Sequence, residues 1–204
     1  MTADFVNGLQ GGVRKKGLPA AVEAVAEAHP GKRVELWSMD EARVGAKGRT
    51  GHRWWVRGER PRGLRQQGYE WAHLFGAVRP ATGEGFALVL PEVSTAAMQA
   101  FLDRLAATLQ EDAHAALVLD GAGWHGAREL VVPPDISLIP LPPYAPELNP
   151  VERVWLHLRE HMLSHRLLDG YDAIVEACCE AWNALTPERI RSLTAFPWIT
   201  RVTS

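Results

Sequence analysis

The chain has 204 residues, of which 47% are hydrophobic and 23% are charged, and this composition suits one globular domain with a substantial core. No apolar run approaches the roughly eighteen residues that cross a bilayer, and the N-terminus lacks the pattern of a secretory signal. The two cysteines are adjacent, which indicates neither a disulfide framework nor a zinc site. We therefore expect a reduced, intracellular protein.

Positive charge is concentrated in one segment, although the net charge is only −2. Residues 43–65, here called the basic strip, contain eight Lys or Arg and a single acid: Arg43, Lys47, Arg49, Arg53, Arg57, Arg60, Arg62 and Arg65. Trp54 and Trp55 lie among them. A basic segment taken alone is usually a solvated face, but a strip of this density on an otherwise acidic chain favours contact with a polyanion.

The predicted elements begin with an N-terminal arm and a short helix over residues 18–28, which must end before Pro30. Strands are predicted over 34–39, ending in Asp40, and over 52–56, 71–78 and 86–90. Ser94 then caps an amphipathic helix. Residues 115–119 form a continuous apolar run, typical of a strand buried on both faces, and Asp120 follows it.

A strand over 136–139 and three helices, the last two near residues 172–184 and 187, complete the chain. Antiparallel strands followed by strands alternating with helices predict an α/β fold with a mixed sheet flanked by helices. We expect residues 1–32 to be the arm and short helix and residues 33–204 to be one domain.

A proline-rich segment leads into the first of these three helices. Its five prolines forbid regular structure and stiffen the connection: Pro140, Pro142, Pro143, Pro146 and Pro150. Asn149 suits the N-cap, which puts Glu152 at the third helical position. Apolar residues then recur at helical spacing and predict a buried face: Val151, Val154, Trp155, Leu158 and Met162. Taken alone, Glu152 is best interpreted as a capping-box glutamate.

Three acids stand at the ends of predicted elements. Asp40 and Asp120 each follow a strand, and Glu152 begins a helix. Because acids at strand ends in α/β sheets gather at one edge, we expect these three to lie together. Converging carboxylates repel one another unless a proton or a cation neutralises them. Oxygen ligands suit Mg²⁺ or Mn²⁺, and two such ions about 4 Å apart serve phosphoryl transfer.

Three segments of the chain together resemble the DDE transposases. They are Trp37-Ser-Met-Asp40-Glu41, Leu117-Val-Leu-Asp120 with His125 five residues on, and Pro142-Pro-Tyr-Ala-Pro-Glu-Leu-Asn-Pro-Val-Glu152-Arg-Val-Trp155. More narrowly, residues 33–165 look like the bacterial insertion-sequence relatives of mariner, whose proline-rich box this chain matches nearly throughout, with Ala145 in place of Ser. Gly121 stands where that family often has Asn. The 31 residues between Asp120 and Glu152 are slightly fewer than is usual.

The resemblance implies an RNase H-like fold with Asp40, Asp120 and Glu152 as a metal-binding catalytic triad. It further implies a transposase catalytic domain that uses two Mg²⁺ or Mn²⁺ ions to cleave DNA and transfer strands. The basic strip and His125 would contact the DNA of the element ends and the target. We also expect a homo-oligomer in the bacterial cytoplasm, associated with the nucleoid.

Only some thirty residues precede the first predicted strand, too few for the helix-turn-helix modules that the family usually carries. We therefore expect a separate DNA-recognition polypeptide, or else a truncated remnant. Such a catalytic domain alone should bind DNA weakly, with little sequence preference and through salt-sensitive phosphate contacts.

Several alternatives remain open at this point. Glu147 is a rival third acid, and Glu41 should face away from Asp40 because side chains alternate along a strand. A structural hydrogen bond would explain His125 equally well. His157, His161 and His165 are spaced along one helix, although a zinc site lacks its carboxylate there. The alternative functions are a metal-dependent nuclease without strand transfer and a catalytically decayed DNA-binding or assembly subunit.

Overall fold

The computed structural model describes residues 17–47, 56–58, 67–121, 129–142, 148–164, 166–196 and 199. Five strands within them form one sheet in the order β3-β2-β1-β4-β5. The strands are β1 (Arg33–Lys47), β2 (Gln67–Arg79), β3 (Glu84–Leu90), β4 (Ala113–Leu119) and β5 (Ile136–Pro140). The pairs β1–β2 and β2–β3 are antiparallel, whereas β1–β4 and β4–β5 are parallel. This is the mixed sheet that the element order predicted.

Helices flank the sheet on both faces. They are α1 (Leu18–Ala28), α2 (Thr95–Ala106), α3 (Val151–His157), α4 (Gly170–Asn183) and α5 (Pro187–Leu193), and a π-helical turn (Leu158–Met162) continues α3. Ser94 caps α2 as predicted, because its hydroxyl accepts a hydrogen bond from the Ala97 amide. None of the helices in the described ranges is long and apolar enough to cross a membrane.

Alternate residues along β1 face different helices, as the period of a strand requires. Trp37 and Met39 pack in the cluster that includes Phe101 and Leu102 of α2. Leu36 packs on the opposite face with α1, and Ala42 packs there with α3. The apolar strand predicted at 115–119 is confirmed as β4, which is buried along its whole length.

The first strand is longer than the sequence predicted, and the expectation that it ends at Asp40 was wrong. Pairing with β4 stops at Ser38, but pairing with β2 continues through Asp40 opposite Gly76 and on to Lys47. Asp40 therefore lies within a strand, at the level where β1 loses its neighbour on one side. Of the strand predicted at 52–56, only Val56 falls in the described ranges, and it belongs to no strand.

The division of the chain at residue 33 stays a prediction, since residues 1–16 lie outside the described ranges. Helix α1 packs on the sheet through Leu18, Ala21 and Val25, which join the same cluster as Leu36. A short helix that buries its apolar stripe in this way belongs to the core of the sheet that follows it.

Helix α3 begins at Val151, with Pro150 as the flanking residue, so Glu152 is the second helical residue rather than the third. Asn149 nevertheless caps this end, because its Oδ1 accepts a hydrogen bond of 3.2 Å from the Val151 amide. The predicted buried face is confirmed for Val154 and its neighbours, and the π-helical turn alters the register only beyond His157.

Candidate functional site

Asp40 in β1 and Asp120, the residue that follows β4, are level with one another. The last paired residues of β1 and β4 are Ser38 and Val118, and each aspartate follows its paired residue by two positions. Alternation along β1 directs the Asp40 side chain to the face that carries α1 and α3. Asp120 is exposed at the end of β4.

Glu152 reaches the same face from above the sheet, because α3 packs there through Val151 and Val154 against Ala42 and Leu74. The start of this helix is attached directly to β1: the Asn149 side-chain amide donates a hydrogen bond of 2.8 Å to the Met39 carbonyl oxygen. Asp40 and Glu152 thus lie on one face of the sheet, and α3 holds Glu152 near Asp40.

The side chain of Trp155, also on α3, contacts the first acid. Its indole Nε1–H donates a hydrogen bond of 2.9 Å to Asp40 Oδ2. The Trp155 ring is only 1% exposed and packs at a tilt against Trp182, with 5.8 Å between ring centroids. It lies close to Gly76, the residue that pairs with Asp40 across β1 and β2.

The electrostatic environment of Asp40 opposes its negative charge. Burial is the largest effect and the charge of Glu152 is the second, and together they raise the pKa of Asp40 from 3.8 to about 7. The backbone amide of Glu41 and the indole of Trp155 act in the other direction, since hydrogen bonds stabilise the ionised form. The charge of Glu152 is itself partly balanced by Arg159, at 3.9 Å.

The other residues considered for the site lie either on the opposite face of the sheet or outside the described ranges. Glu41 faces away from Asp40, as predicted, since it pairs with Phe75 in the α2-facing cluster. His125 and Glu147 lie outside the described residues. In the part of the chain that the structure describes, no group of three or more His, Cys, Asp or Glu side chains lies close enough together to hold one metal ion.

The basic strip is described only in part. Arg43 is exposed and follows Asp40 by three residues, so it projects from the opposite face of β1. Its guanidinium stacks over the Trp71 ring at 3.7 Å, and that ring lies against Gly45. Arg57 is exposed, and only the backbone of Lys47 is described. The other predicted DNA-binding arginines lie outside the described residues: Arg49, Arg53, Arg60, Arg62 and Arg65.

Sequence reasoning missed the second roles of Asn149 and Trp155 and the contribution of Gly76. Asn149 was predicted only as a cap and Trp155 only as part of an apolar stripe, although an indole also carries a donor that seeks a partner when buried. A glycine inside a strand marks a close approach of another group. That signal was present in the sequence at Gly76, between Phe75 and Ala77.

Comparison with known proteins shows the family of this chain. The family model described as DDE superfamily endonuclease matches residues 35–175. The uncharacterized protein y4pE/y4sA of Sinorhizobium fredii is 48% identical over 133 residues, which are 64% of this chain and 98% of that protein. The insertion element IS630 uncharacterized 39 kDa protein of Shigella sonnei is 25% identical over 183 residues, covering 87% of this chain and 49% of that protein.

Solved structures show the same fold. The catalytic domain of Mos1 mariner transposase superposes with a TM-score of 0.61 and 16% identity, over 89% of this chain and 85% of that chain. The Mos1 mariner paired end complex with Mn gives 0.64 and 16%, over 86% of this chain and 56% of that chain. The predicted RNase H-like fold is therefore confirmed. The chain spans about half the length of the IS630 protein and little more of the longer Mos1 chains.

Proposed function

Because this chain belongs to the DDE superfamily endonucleases, as the sequence predicted, we propose that it is the catalytic domain of a transposase that cleaves DNA and transfers strands. The observation that carries this proposal is the attachment of α3 to β1 through Asn149 and Trp155, which brings Glu152 close to Asp40. These two acids are far apart in sequence, and the packing of α3 on β1 brings their like charges together. Asp120 stands level with Asp40 and supplies the third acid of the proposed triad.

The proposed metal ligands are Asp40, Asp120 and Glu152. An acid whose pKa is raised to about 7 by burial and by a second acid suits either a proton or a cation, and carboxylate oxygens suit Mg²⁺ or Mn²⁺. Mos1 paired end complexes have been solved with Mn and with Mg. We propose two ions, as the resemblance to the DDE transposases implies. Two such ions supply activation of the attacking oxygen and stabilisation of the leaving oxygen in phosphoryl transfer.

The protein itself contributes positioning and charge, since no covalent intermediate is needed. Glu152 is held at the start of a helix whose cap is attached to β1, so the acids keep their relative places as DNA arrives. The basic strip, including Arg43, and His125 would contact DNA phosphates. Such contacts fix the register of the duplex without reading its sequence.

The partners proposed for this chain are the element ends and the target DNA. Structures of Mos1 include a strand transfer complex and paired end complexes, and the pairing of two ends supports a homo-oligomer here as well. A separate helix-turn-helix polypeptide would recognise the ends. We place this activity in the bacterial cytoplasm, in association with the nucleoid.

The test is cleavage of an end-labelled DNA duplex with Mn²⁺ or Mg²⁺, comparing wild type with Asp120→Ala and Glu152→Gln. Glu160→Gln is a matched control, because Glu160 is an exposed acid in the π-helical turn that continues α3. We expect metal-dependent nicking by the wild type and the control and its loss in both triad variants. No cleavage by the wild type, even with a recognition partner added, would contradict the enzyme assignment.

A second reaction separates the transposase from a simple nuclease. A duplex with a pre-cut 3′-hydroxyl end is incubated with a labelled supercoiled plasmid, and joined products are sought on a denaturing gel. Joined products that need Asp40 support strand transfer. Nicking without joining would favour the nuclease alternative, and Mn²⁺ binding that is unchanged in Asp120→Ala would favour the decayed subunit.

A further inference from the structure

We propose that Trp155 is a positioning residue that holds the Asp40 carboxylate in one orientation, and that Asn149 and Gly76 make this contact possible. The proposal rests on the proposed function, since it assigns a role to side chains around the same acid. Trp155 touches neither substrate nor reacting atoms in this role, because it acts through Asp40.

The contact itself is well formed. The distance of 2.9 Å between Trp155 Nε1 and Asp40 Oδ2 is that of a normal N–H···O hydrogen bond. A hydrogen bond to an ionised carboxylate in a largely buried place is among the stronger ones in a protein. Since an indole has a single donor, it cannot satisfy Asp40 and another acceptor equally well.

The glycine opposite Asp40 provides room for the indole. A Cβ atom built on Gly76 would overlap the Cη2 atom of the Trp155 ring and would come within 2.9 Å of Trp182 Cζ3. The ring therefore lies against β2 at a position where that strand has no side chain. The Trp182 ring packs against Trp155 at a tilt, with 5.8 Å between the ring centroids.

The cap residue of α3 supplies a second attachment to β1. Asn149 is 4% exposed, and its amide donates to the carbonyl oxygen of Met39, the residue immediately before Asp40. Asn149 and Trp155 are six residues apart and bind consecutive residues of the strand. Glu152 lies between them in the sequence, so its helix can neither slide nor rotate along β1 without breaking one of these two contacts.

The two attachments hold together two acids that repel one another. Both side chains are carboxylates, so an unrestrained Asp40 would turn away from Glu152. A donor at 2.9 Å from Oδ2 fixes the plane of the Asp40 carboxylate. A purely structural role for Trp155 makes a different prediction, because a smaller aromatic ring without a donor would then lower stability but leave metal binding by the folded protein almost unchanged.

Trp155→Phe tests this difference, because it keeps an aromatic ring at this place and removes the indole N–H together with the five-membered part of the ring. Trp182→Phe is the matched control: it makes the same chemical change in the neighbouring ring, which packs against Trp155 and Gly76. Mn²⁺ binding to each folded protein is measured by electron paramagnetic resonance, without DNA. We expect about tenfold weaker binding in Trp155→Phe, as a lost hydrogen bond to a charged group implies, and a change below twofold in Trp182→Phe.

A second measurement needs no metal. The indole N–H signals of ¹⁵N-labelled protein are recorded, and the signal of Trp155 is the one absent from Trp155→Phe. We expect this proton to exchange slowly with solvent and its signal to move in Asp40→Ala. Equal Mn²⁺ affinities in wild type and Trp155→Phe would overturn the proposal, as would a Trp155 signal that Asp40→Ala leaves unchanged.

These measurements also separate the failure of this inference from that of the proposed function. If the wild type binds no Mn²⁺ and cleaves no DNA, the proposed function fails, and the indole signal alone decides whether Trp155 holds Asp40. If the wild type binds Mn²⁺ and Trp155→Phe binds it equally well, the proposed function stands and this inference fails.

Discussion

A single methyl group added at Gly76 should lower the stability of the fold strongly. It pairs with Asp40 across β1 and β2, and its missing side chain leaves the space that the Trp155 ring fills. In Gly76→Ala the new methyl group would approach Trp155 Cη2 more closely than real Cβ atoms approach any atom, and Trp182 Cζ3 to 2.9 Å. Trp155 is fully buried and cannot swing into solvent, so the ring must be displaced.

The loss of stability in Gly76→Ala is the sum of three contributions to the free energy of unfolding. Overpacking a close-packed core costs about 1–3 kcal/mol. Displacement of the indole also removes its hydrogen bond to the Asp40 carboxylate, about 1.5–3 kcal/mol. Replacing glycine by alanine returns about 0.4–1 kcal/mol through the unfolded chain. We therefore expect Gly76→Ala to lower the free energy of unfolding by about 3 kcal/mol, or the melting temperature by roughly 6–12 °C.

Thermal and urea unfolding measure this loss, and Gly85→Ala is the matched control. Gly85 lies on the next strand, and a Cβ there would meet Ile190 Cδ1 and Trp182 Cζ2 at 3.1 Å, which a small shift can relieve. The control should cost less than about 1 kcal/mol. The reasoning is refuted if the two variants are equally stable, or if Gly76→Ala unfolds like the wild type.

Four further predictions concern the ionisation of Asp40 and of His114, the contact of Arg43 with DNA, and the residue that follows Asp120. The pKa of Asp40 is about 7 in the folded protein, against the ordinary value of 3.8, so its contribution to stability is present at low pH and lost as pH rises through 7. Asp40→Asn should therefore raise the free energy of unfolding at pH 8, measured in urea, by about 2–4 kcal/mol. Equal stability of this variant and the wild type would contradict the prediction. The pKa of His114 is lowered to about 4, first by burial and then by the charges of His29 and Lys32. The free energy of unfolding of the wild type should therefore fall by about 3 kcal/mol between pH 6.5 and pH 4. The same fall in a His114→Asn variant would show that another group is responsible. Arg43→Ala should reduce the slope of log affinity for duplex DNA against log salt by about 0.9 if Arg43 contacts one phosphate, and an unchanged slope would remove it from the interface. A side chain at Gly121 meets open space, so Gly121→Asn should change the melting temperature by less than about 2 °C, and a larger fall would contradict that geometry.

Most of the fold could be predicted because local pattern and tertiary structure agree. The buried strand β4 is apolar throughout, and Ser94 caps α2 where the sequence placed it. The length of β1 was not predicted, although residues 41–44 alternate between polar and apolar, because this run is short and leads into a segment rich in Gly, Lys and Arg. Pairing with β2 decides its length, and such long-range pairing is not visible in the segment itself.

The site was predicted as a set of residue types rather than as a geometry. Asp40, Asp120 and Glu152 were predicted because they stand at strand ends and at a helix start. The sequence alone did not show that Asp40 lies inside a strand with a glycine opposite. An apolar stripe explained Trp155 so well that its donor was overlooked. A side chain with both apolar and polar parts, such as tryptophan, can pack in the core and also donate a hydrogen bond. The spacing of hydrophobic residues indicates only the packing.

The arrangement around Asp40 explains why helix packing and the site depend on one another. Burial of Asp40 and the like charge of Glu152 both oppose ionisation of Asp40 and raise its pKa, so holding the two acids together costs stability. The contacts of Asn149 and Trp155 with β1 act against this loss, since releasing Glu152 would require both hydrogen bonds to break. A cation between the acids would remove the repulsion and leave these contacts in place, so the folded protein should bind it without rearranging α3.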